Sequence, residues 1–255
     1  MNAVNLIVEG YKKIFSGPNA VLKNVMLFCL TGIIALVSLY FENIKESKIL
    51  FSELNPFTFI LAAILIIVAG IYIGGYTYSF INRSFYDCED NILPDFNLKH
   101  ISIFFKALPL AIIWIIYLTL VLILSGIFMS LIHILGIVLA IGFILMAVFT
   151  TFVFIAFCKN FDAKGLFDIT LPFKFMSKTI GIVIILGLLF IVVGILSLVP
   201  SCLAGIVCGI LGFGKSQFAY YLGGILGGYF GCLAQFVWYY CLVQVYKDNF
   251  LTDEL

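Results

Sequence analysis

One stretch of sequence constrains this chain more than any other: residues 101–158 are apolar almost without interruption. A single straight helix over this stretch would be about 87 Å long at 1.5 Å per residue. The hydrocarbon core of a bilayer is only about 30 Å thick. We therefore predict that the stretch folds back as two membrane-spanning helices, with the hairpin between Ser125 and Gly136.

The composition of the whole chain excludes a soluble protein. Hydrophobic residues make up 64% of the 255 residues and charged residues 11%, against roughly 45–50% and about 25% in soluble domains. The mean hydropathy is +1.20. This much apolar surface cannot be hidden in one aqueous core, so lipid must be the solvent for most of the chain.

Counting the apolar runs predicts an all-α, polytopic fold: a six-helix transmembrane bundle that forms one integral membrane domain over residues 1–255. A seventh crossing around residues 201–217 is the alternative, with the short run 204–211 as a re-entrant or interfacial piece. The predicted spans cover residues 25–41, 56–81, 107–129, 133–158, 180–200 and 218–246.

Basic residues predict the orientation, because loops rich in lysine and arginine stay on the cytoplasmic side. Placing both termini inside puts 11 of the 14 basic residues in the cytoplasm. Only Lys45, Lys48 and Lys215 then fall outside. We expect a multi-pass protein of the cell membrane with both termini cytoplasmic, which agrees with an even number of spans.

Three juxtamembrane stretches on that side mix aromatic, aliphatic and lysine residues: residues 5–15, 95–106 and 162–178. Pro94 keeps the preceding residue extended and Asp95 is a plausible N-cap. We predict short amphipathic interfacial helices on the cytoplasmic face, forming a weak threefold repeat of one such helix and two spans. The alternative is that any segment beside a membrane becomes amphipathic.

Binding of nucleic acid or nucleotide is not expected. The net charge of +1 offers no basic surface to a polyanion. Residues 209–216 match the phosphate-loop pattern GxxxxGK[ST], but that loop needs a strand before it and a parallel sheet around it. Here it lies between two spans, so we interpret it as a glycine-rich membrane turn.

Acidic residues between positions 87 and 95 resemble the start of a calcium-binding EF-hand loop. Two positions that such a loop requires do not fit. Ile92 stands where glycine must turn the chain, and Leu98 stands where a bidentate glutamate should complete the shell. We interpret the cluster as a solvated loop of functional interest, with Arg83, Asp87 and Asp95 as its candidate residues. No metal and no cofactor are expected, and the cysteines are interpreted as small hydrophobic residues.

Motifs of membrane enzymes are missing from the sequence. It contains no HExxH, no GxSG with a partnering histidine, and no acidic residue at a span centre. No catalytic residue is predicted and the protein is expected not to be an enzyme. The two intramembrane polar candidates are His133, close to the predicted hairpin, and Gln235 in the last span.

Scattered polar residues within the spans allow two interpretations. They could line a modest path for a neutral solute, or they could form hydrogen bonds between helices. They are Ser38, Thr119, Ser125, Thr150, Thr151, Ser197, Gln235 and Gln244.

The last span carries a run of glycines that predicts close helix packing. Helical spacing places small residues three and four apart on one face, where two backbones can approach. Packing against another span of the same chain and a homodimer seam are both compatible with this pattern. The residues are Gly223, Gly224, Gly227, Gly228 and Gly231.

Residues 74–116 resemble a family of prokaryotic six-span membrane proteins catalogued only as a domain of unknown function. The resemblance is carried by a Gly-Tyr pair, an arginine and a Leu-Pro-Asp-aromatic sequence: Gly75, Tyr76, Arg83, Leu93, Pro94, Asp95 and Phe96. Phe96 stands where tryptophan is expected more often. Residues 165–173 are similar to the second cytoplasmic loop of that family. The resemblance implies this architecture and a prokaryotic cell membrane, and it carries over no catalytic residue.

These observations predict a non-enzymatic interaction or membrane and envelope-homeostasis component. Its expected partners are membrane lipids, with a second copy of the chain or another membrane protein as further partners. The alternative is a transporter or permease component for a small neutral or apolar solute. A continuous polar stripe that leads to a cavity would favour transport, and a sealed bundle would favour the interaction protein.

Overall fold

The computed structural model describes residues 2–46, 56–86, 91–211 and 217–251. These residues contain no strand, and six of their helices are long and apolar enough to span a membrane. The predicted all-α, six-helix architecture is therefore confirmed. The helices are α1 (Ala3–Phe15), α2 (Ala20–Glu46), α3 (Pro56–Phe85), α4 (Lys99–Leu131), α5 (His133–Asn160), α6 (Leu171–Ile210) and α7 (Gln217–Tyr246), followed by a π-helical turn (Lys247–Leu251).

The short helix α1 is amphipathic and packs against the end of α7. The side chain of Asn2 caps it by accepting a hydrogen bond from the Val4 N–H at 3.1 Å. Gly10 allows the close approach, because a Cβ there would lie 3.0 Å from Val237 and 3.1 Å from Tyr240. We call the side of the bundle that carries α1 and the end of α7 the terminal face, and the other side the distal face.

The prediction of two further interfacial helices, over residues 95–106 and 162–178, is wrong. Residues 99–106 are the first turns of the 33-residue helix α4, and residues 171–178 are the first turns of the 40-residue helix α6. Asp95 lies in a loop and is not an N-cap, because its carboxylate pairs with Lys23 instead. The sequence between α5 and α6 is irregular, and the carboxylate of Asp168 accepts a hydrogen bond from the Thr170 N–H at 2.9 Å.

The run 204–211 is also not a separate re-entrant piece in the described residues. Helix α6 continues through Pro200 to Ile210, so this run up to Ile210 extends the same helix as the fifth span. Proline is tolerated inside membrane helices because neighbouring groups satisfy the freed carbonyl. At 1.5 Å per residue, 40 residues measure about 60 Å, so α6 is about twice as long as the hydrocarbon core is thick.

The α4–α5 hairpin turns at the single residue Ile132, within the predicted interval. Gly136 makes this turn possible, because a Cβ at that position would overlap the backbone of Met129.

Packing is concentrated at the terminal face. Nearly all buried residues of α3 lie between Gly75 and Phe85, and those of α5 lie from Met146 onward apart from Gly136. Buried residues of α6 end at Leu186 apart from Cys208. The buried core therefore lies on the terminal side, whereas the distal parts of these three helices contain few buried residues.

Candidate functional site

A loop on the terminal face, residues 91–98, is fixed between four helices, and we call it the clamp loop. Its first residue, Asn91, donates hydrogen bonds from Nδ2 to the carbonyls of Ile14 at 2.8 Å and Ser16 at 2.7 Å. The Oδ1 atom of Asn91 accepts from the Leu93 N–H at 2.7 Å. One buried amide thus connects the end of α1 to the loop, which makes the loop part of the packed core.

Two cations hold the middle of the clamp loop. Lys23, which is buried at the start of α2, donates from Nζ to the Leu93 carbonyl at 2.8 Å and pairs with Asp95 at 2.9 Å. Arg83 donates to the Asn91 carbonyl at 3.1 Å and lies 4.0 Å from Asp95. The hydrogen bond from Lys23 is the main reason why the pKa of Asp95 lies below its usual range.

Aromatic and imidazole side chains close the other end of the clamp loop. The Tyr76 hydroxyl donates to the Pro94 carbonyl at 3.1 Å, and its ring lies 4.8 Å from that of Phe96. His100 bonds the Asp95 carbonyl through Nε2 and the Ser79 hydroxyl through Nδ1, both at 2.8 Å. The tyrosine, the arginine and the Leu-Pro-Asp-aromatic sequence therefore meet in one place, where they connect α3 to α4.

Sequence reasoning found Arg83 and Asp95 but missed their main partners. His100 follows Lys99 in the sequence and belongs to no recognisable motif, yet it is only 3% exposed. The Ser79–His100 pair resembles a nucleophile and base, but Ser79 is 8% exposed and also bonds the Gly75 carbonyl at 3.0 Å. The pair connects α3 to α4. Asp87, the third candidate residue predicted with Arg83 and Asp95, lies outside the described residues.

The α2–α3 groove is an apolar cavity with a volume of about 520 Å³. It runs inward from the clamp loop between α2 and α3 and has almost no polar lining. Leu65 joins it to a second apolar cavity of about 250 Å³ along the same seam. The groove is lined by Val25, Met26, Cys29, Leu30, Ile33, Leu65, Val68, Ala69, Tyr72, Phe96, Leu98 and Ile101.

A smaller cavity of about 280 Å³ lies between α3, α5 and α7, and we call it the hydroxyl pocket. It brings together two of the predicted polar residues, Thr150 and Thr151, with Tyr78 and Tyr239. Gln235 lies one turn away and donates from Nε2 to the Tyr239 hydroxyl at 3.3 Å. His133 does not line this pocket. It is exposed at the first turn of α5.

The glycines of α7 face two different neighbours. A Cβ at Gly224 would lie 2.7 Å from Leu39 on α2, and a Cβ at Gly228 would lie 3.7 Å from Ala35. Gly223 and Gly227 instead face Ser201 on α6, at 3.9 and 3.0 Å. Gly231 has no atom within 4 Å. The run therefore lets α7 pack between α2 and α6.

We expect Gly227→Leu to lower the free energy of unfolding by about 1 kcal/mol, because the added side chain must displace Ser201. The cost is at the lower end for overpacking because the only atom met within 4 Å is a side-chain hydroxyl and not backbone. An added Cβ at Gly231 would meet no atom within 4 Å, so Gly231→Leu is the matched control and should melt like the wild type. Thermal unfolding in detergent with native mass analysis distinguishes them, and equal melting of both variants would contradict this packing.

The expected absence of metal and nucleotide sites remains a prediction. Among the residues that the structure describes, no three histidine, cysteine or acidic side chains are grouped to hold an ion. The first residues of the phosphate-loop match, Gly209 and Ile210, are the end of α6, whereas residues 212–216 lie outside the described ranges. Comparison with protein-family models, curated proteins and solved structures finds no match to this chain.

Proposed function

We propose that this integral membrane protein is a non-enzymatic interaction or envelope-homeostasis component that holds phospholipid in the α2–α3 groove. The observation that carries the proposal is the groove itself, an apolar cavity of about 520 Å³ beside the clamp loop. From Val25 to Ile33 it extends about 12 Å along α2, which is close to the depth of one leaflet.

The side chains that line the groove favour an acyl chain over a membrane helix. Helices approach one another in membranes through small residues such as glycine, alanine and serine. Ala69 and Cys29 are the only small residues among the twelve that line the groove, and most of the others are branched or aromatic. A flexible acyl chain can follow the gaps between such side chains, whereas a helix about 10 Å wide packs best against small ones.

Exposed residues around the terminal face support contact with lipid headgroups. Val8 is 61% exposed and Leu98 is 79% exposed, beside the exposed lysines Lys12 and Lys99. Such a mixture of apolar and basic side chains favours the interface of an anionic leaflet. We propose that this face is cytoplasmic, in line with the 11 to 3 distribution of basic residues, and that the cell is prokaryotic, as the family resemblance implies.

The test blocks the groove with a large side chain and measures how much lipid the protein retains. Cys29→Trp places a large side chain in the groove, and Cys202→Trp makes the same change at an exposed cysteine on α6. In native mass spectrometry after titration with phosphatidylglycerol, we expect the wild type and Cys202→Trp to retain a lipid that Cys29→Trp loses. Equal lipid retention by all three proteins would refute the groove as the lipid site.

A role as a transporter or permease component for a small neutral or apolar solute is the second candidate. The hydroxyl pocket supports it, because Thr150, Thr151 and nearby Gln235 gather at one cavity rather than scatter over the helices. The close-packed terminal side favours the interaction protein, since large side chains such as Phe80 and Phe236 fill the space that a solute would cross.

A further inference from the structure

The hydroxyl pocket lies at membrane depth. Tyr78 is seven residues from the terminal-side end of α3, and Thr151 is nine residues from that of α5. At 1.5 Å per residue these positions lie about 10–14 Å along the helices from their terminal-side ends. The pocket therefore belongs to the hydrocarbon region, where a polar group without a partner is costly.

Two hydroxyls that line the pocket have no hydrogen-bond partner within the described part of the chain. Thr150 donates to the Met146 carbonyl at 2.6 Å, and the Tyr239 oxygen accepts from Gln235. Tyr78 and Thr151 make no such bond, although both line the same cavity. Because an unpaired hydroxyl in an apolar medium costs free energy, the pocket favours a guest that offers oxygen atoms to these donors.

The side chains that line the hydroxyl pocket favour an apolar, uncharged ligand. The Tyr78 ring stacks on that of Phe154, with centroids 6.2 Å apart and planes 7° from parallel. Ile81 and Ala147 complete an apolar wall, and none of the residues that line the pocket carries a charge at neutral pH. A charged guest would lose its hydration without gaining a counter-ion, which disfavours it at this depth.

Burial around the pocket points to access from the distal face. Toward the terminal face the core is closed by fully buried rings, among them Phe157 and the stacked pair Phe80 and Phe236, whose centroids lie 4.7 Å apart. Toward the distal face Gln235 is exposed one turn beyond Tyr239, and the buried residues of α5 stop near Met146.

We infer that the hydroxyl pocket binds a small uncharged molecule that combines an apolar ring or chain with a hydrogen-bonding oxygen, and that this molecule enters from the distal side. The volume of about 280 Å³ lies just below the range of drug-sized sites, so the guest is about the size of a substituted benzene. The inference is independent of the lipid groove, because the two cavities share no lining residue. Either site can therefore fail without the other.

The experiment compares 4-fluorophenol with 4-fluorotoluene by fluorine NMR on the full chain in lipid nanodiscs. The two probes share shape and differ in the hydroxyl that Tyr78 and Thr151 would bind. We expect saturable binding of 4-fluorophenol about tenfold tighter than that of 4-fluorotoluene, the size of one good hydrogen bond. 4-Fluorobenzoate, which is charged, should not bind at all.

The double variant Tyr78→Phe/Thr151→Val removes both hydroxyls and keeps the shape of the pocket, so it should bind the two probes alike. Thr119→Val is the matched control: Thr119 is exposed on α4 outside the pocket, and its variant should keep the preference for the phenol. Because each substitution is nearly isosteric, melting temperatures report whether the variants fold. Equal affinity for both probes in the wild type, or an unchanged preference in the double variant, would overturn the inference.

Discussion

Replacing Gly75 by alanine is expected to be the most damaging single change in this protein. A Cβ at Gly75 would overlap the backbone carbonyl of His100, so α3 and α4 could no longer cross where they do. Overpacking typically costs about 1–3 kcal/mol, and a clash with backbone cannot be relieved by rotating a side chain. We expect a loss of about 3 kcal/mol or more in the free energy of unfolding.

The same helix provides the matched control. A methyl group added at Gly70 would meet no atom within 4 Å, so Gly70→Ala should leave stability unchanged or raise it slightly through helix propensity. Chemical or thermal unfolding in one detergent compares the two variants directly. If Gly75→Ala unfolded together with Gly70→Ala, the close crossing of α3 and α4 would be incorrect.

The long apolar runs and the low charge content were enough to predict the class of fold. Lipid leaves few solutions for a backbone, so a run such as residues 101–158 must become two helices joined by a short turn. The interfacial helices were harder to predict, because lysines among aromatic residues are equally typical of the end of a long helix. In the structure, Lys99 and Lys106 lie on the first turns of α4 itself.

The candidate site could be predicted only in part. The acidic cluster indicated Arg83 and Asp95, which are close in the chain. Lys23 is 70 residues from the carbonyl that it binds, and Asn91 is 77 residues from the Ile14 carbonyl, so no local pattern reveals either contact. Tyr78 was missed for another reason: tyrosine is common near membrane interfaces, so its sequence position does not indicate a pocket.

The second large effect is expected from Asp95→Asn. This change keeps the shape of the side chain and removes the negative charge that faces the buried ammonium of Lys23 at 2.9 Å. Breaking a fully buried ion pair costs about 3–5 kcal/mol. The Asp95 side chain is 74% exposed, so solvent screens the pair and we expect a smaller loss of about 2 kcal/mol.

The pair also predicts a pH dependence whose sign follows from the lowered pKa of Asp95. Its stabilising effect is complete above the unfolded-state pKa of about 3.9 and is lost as the pH falls through the lower folded-state pKa. The difference in stability between the wild type and Asp95→Asn should therefore be constant from about pH 5 to 8 and shrink below about pH 4. Because Lys23→Met removes the buried cation, Asp95→Asn should cost little in that background. An equal cost of Asp95→Asn with and without Lys23 would show that the two charges are not coupled.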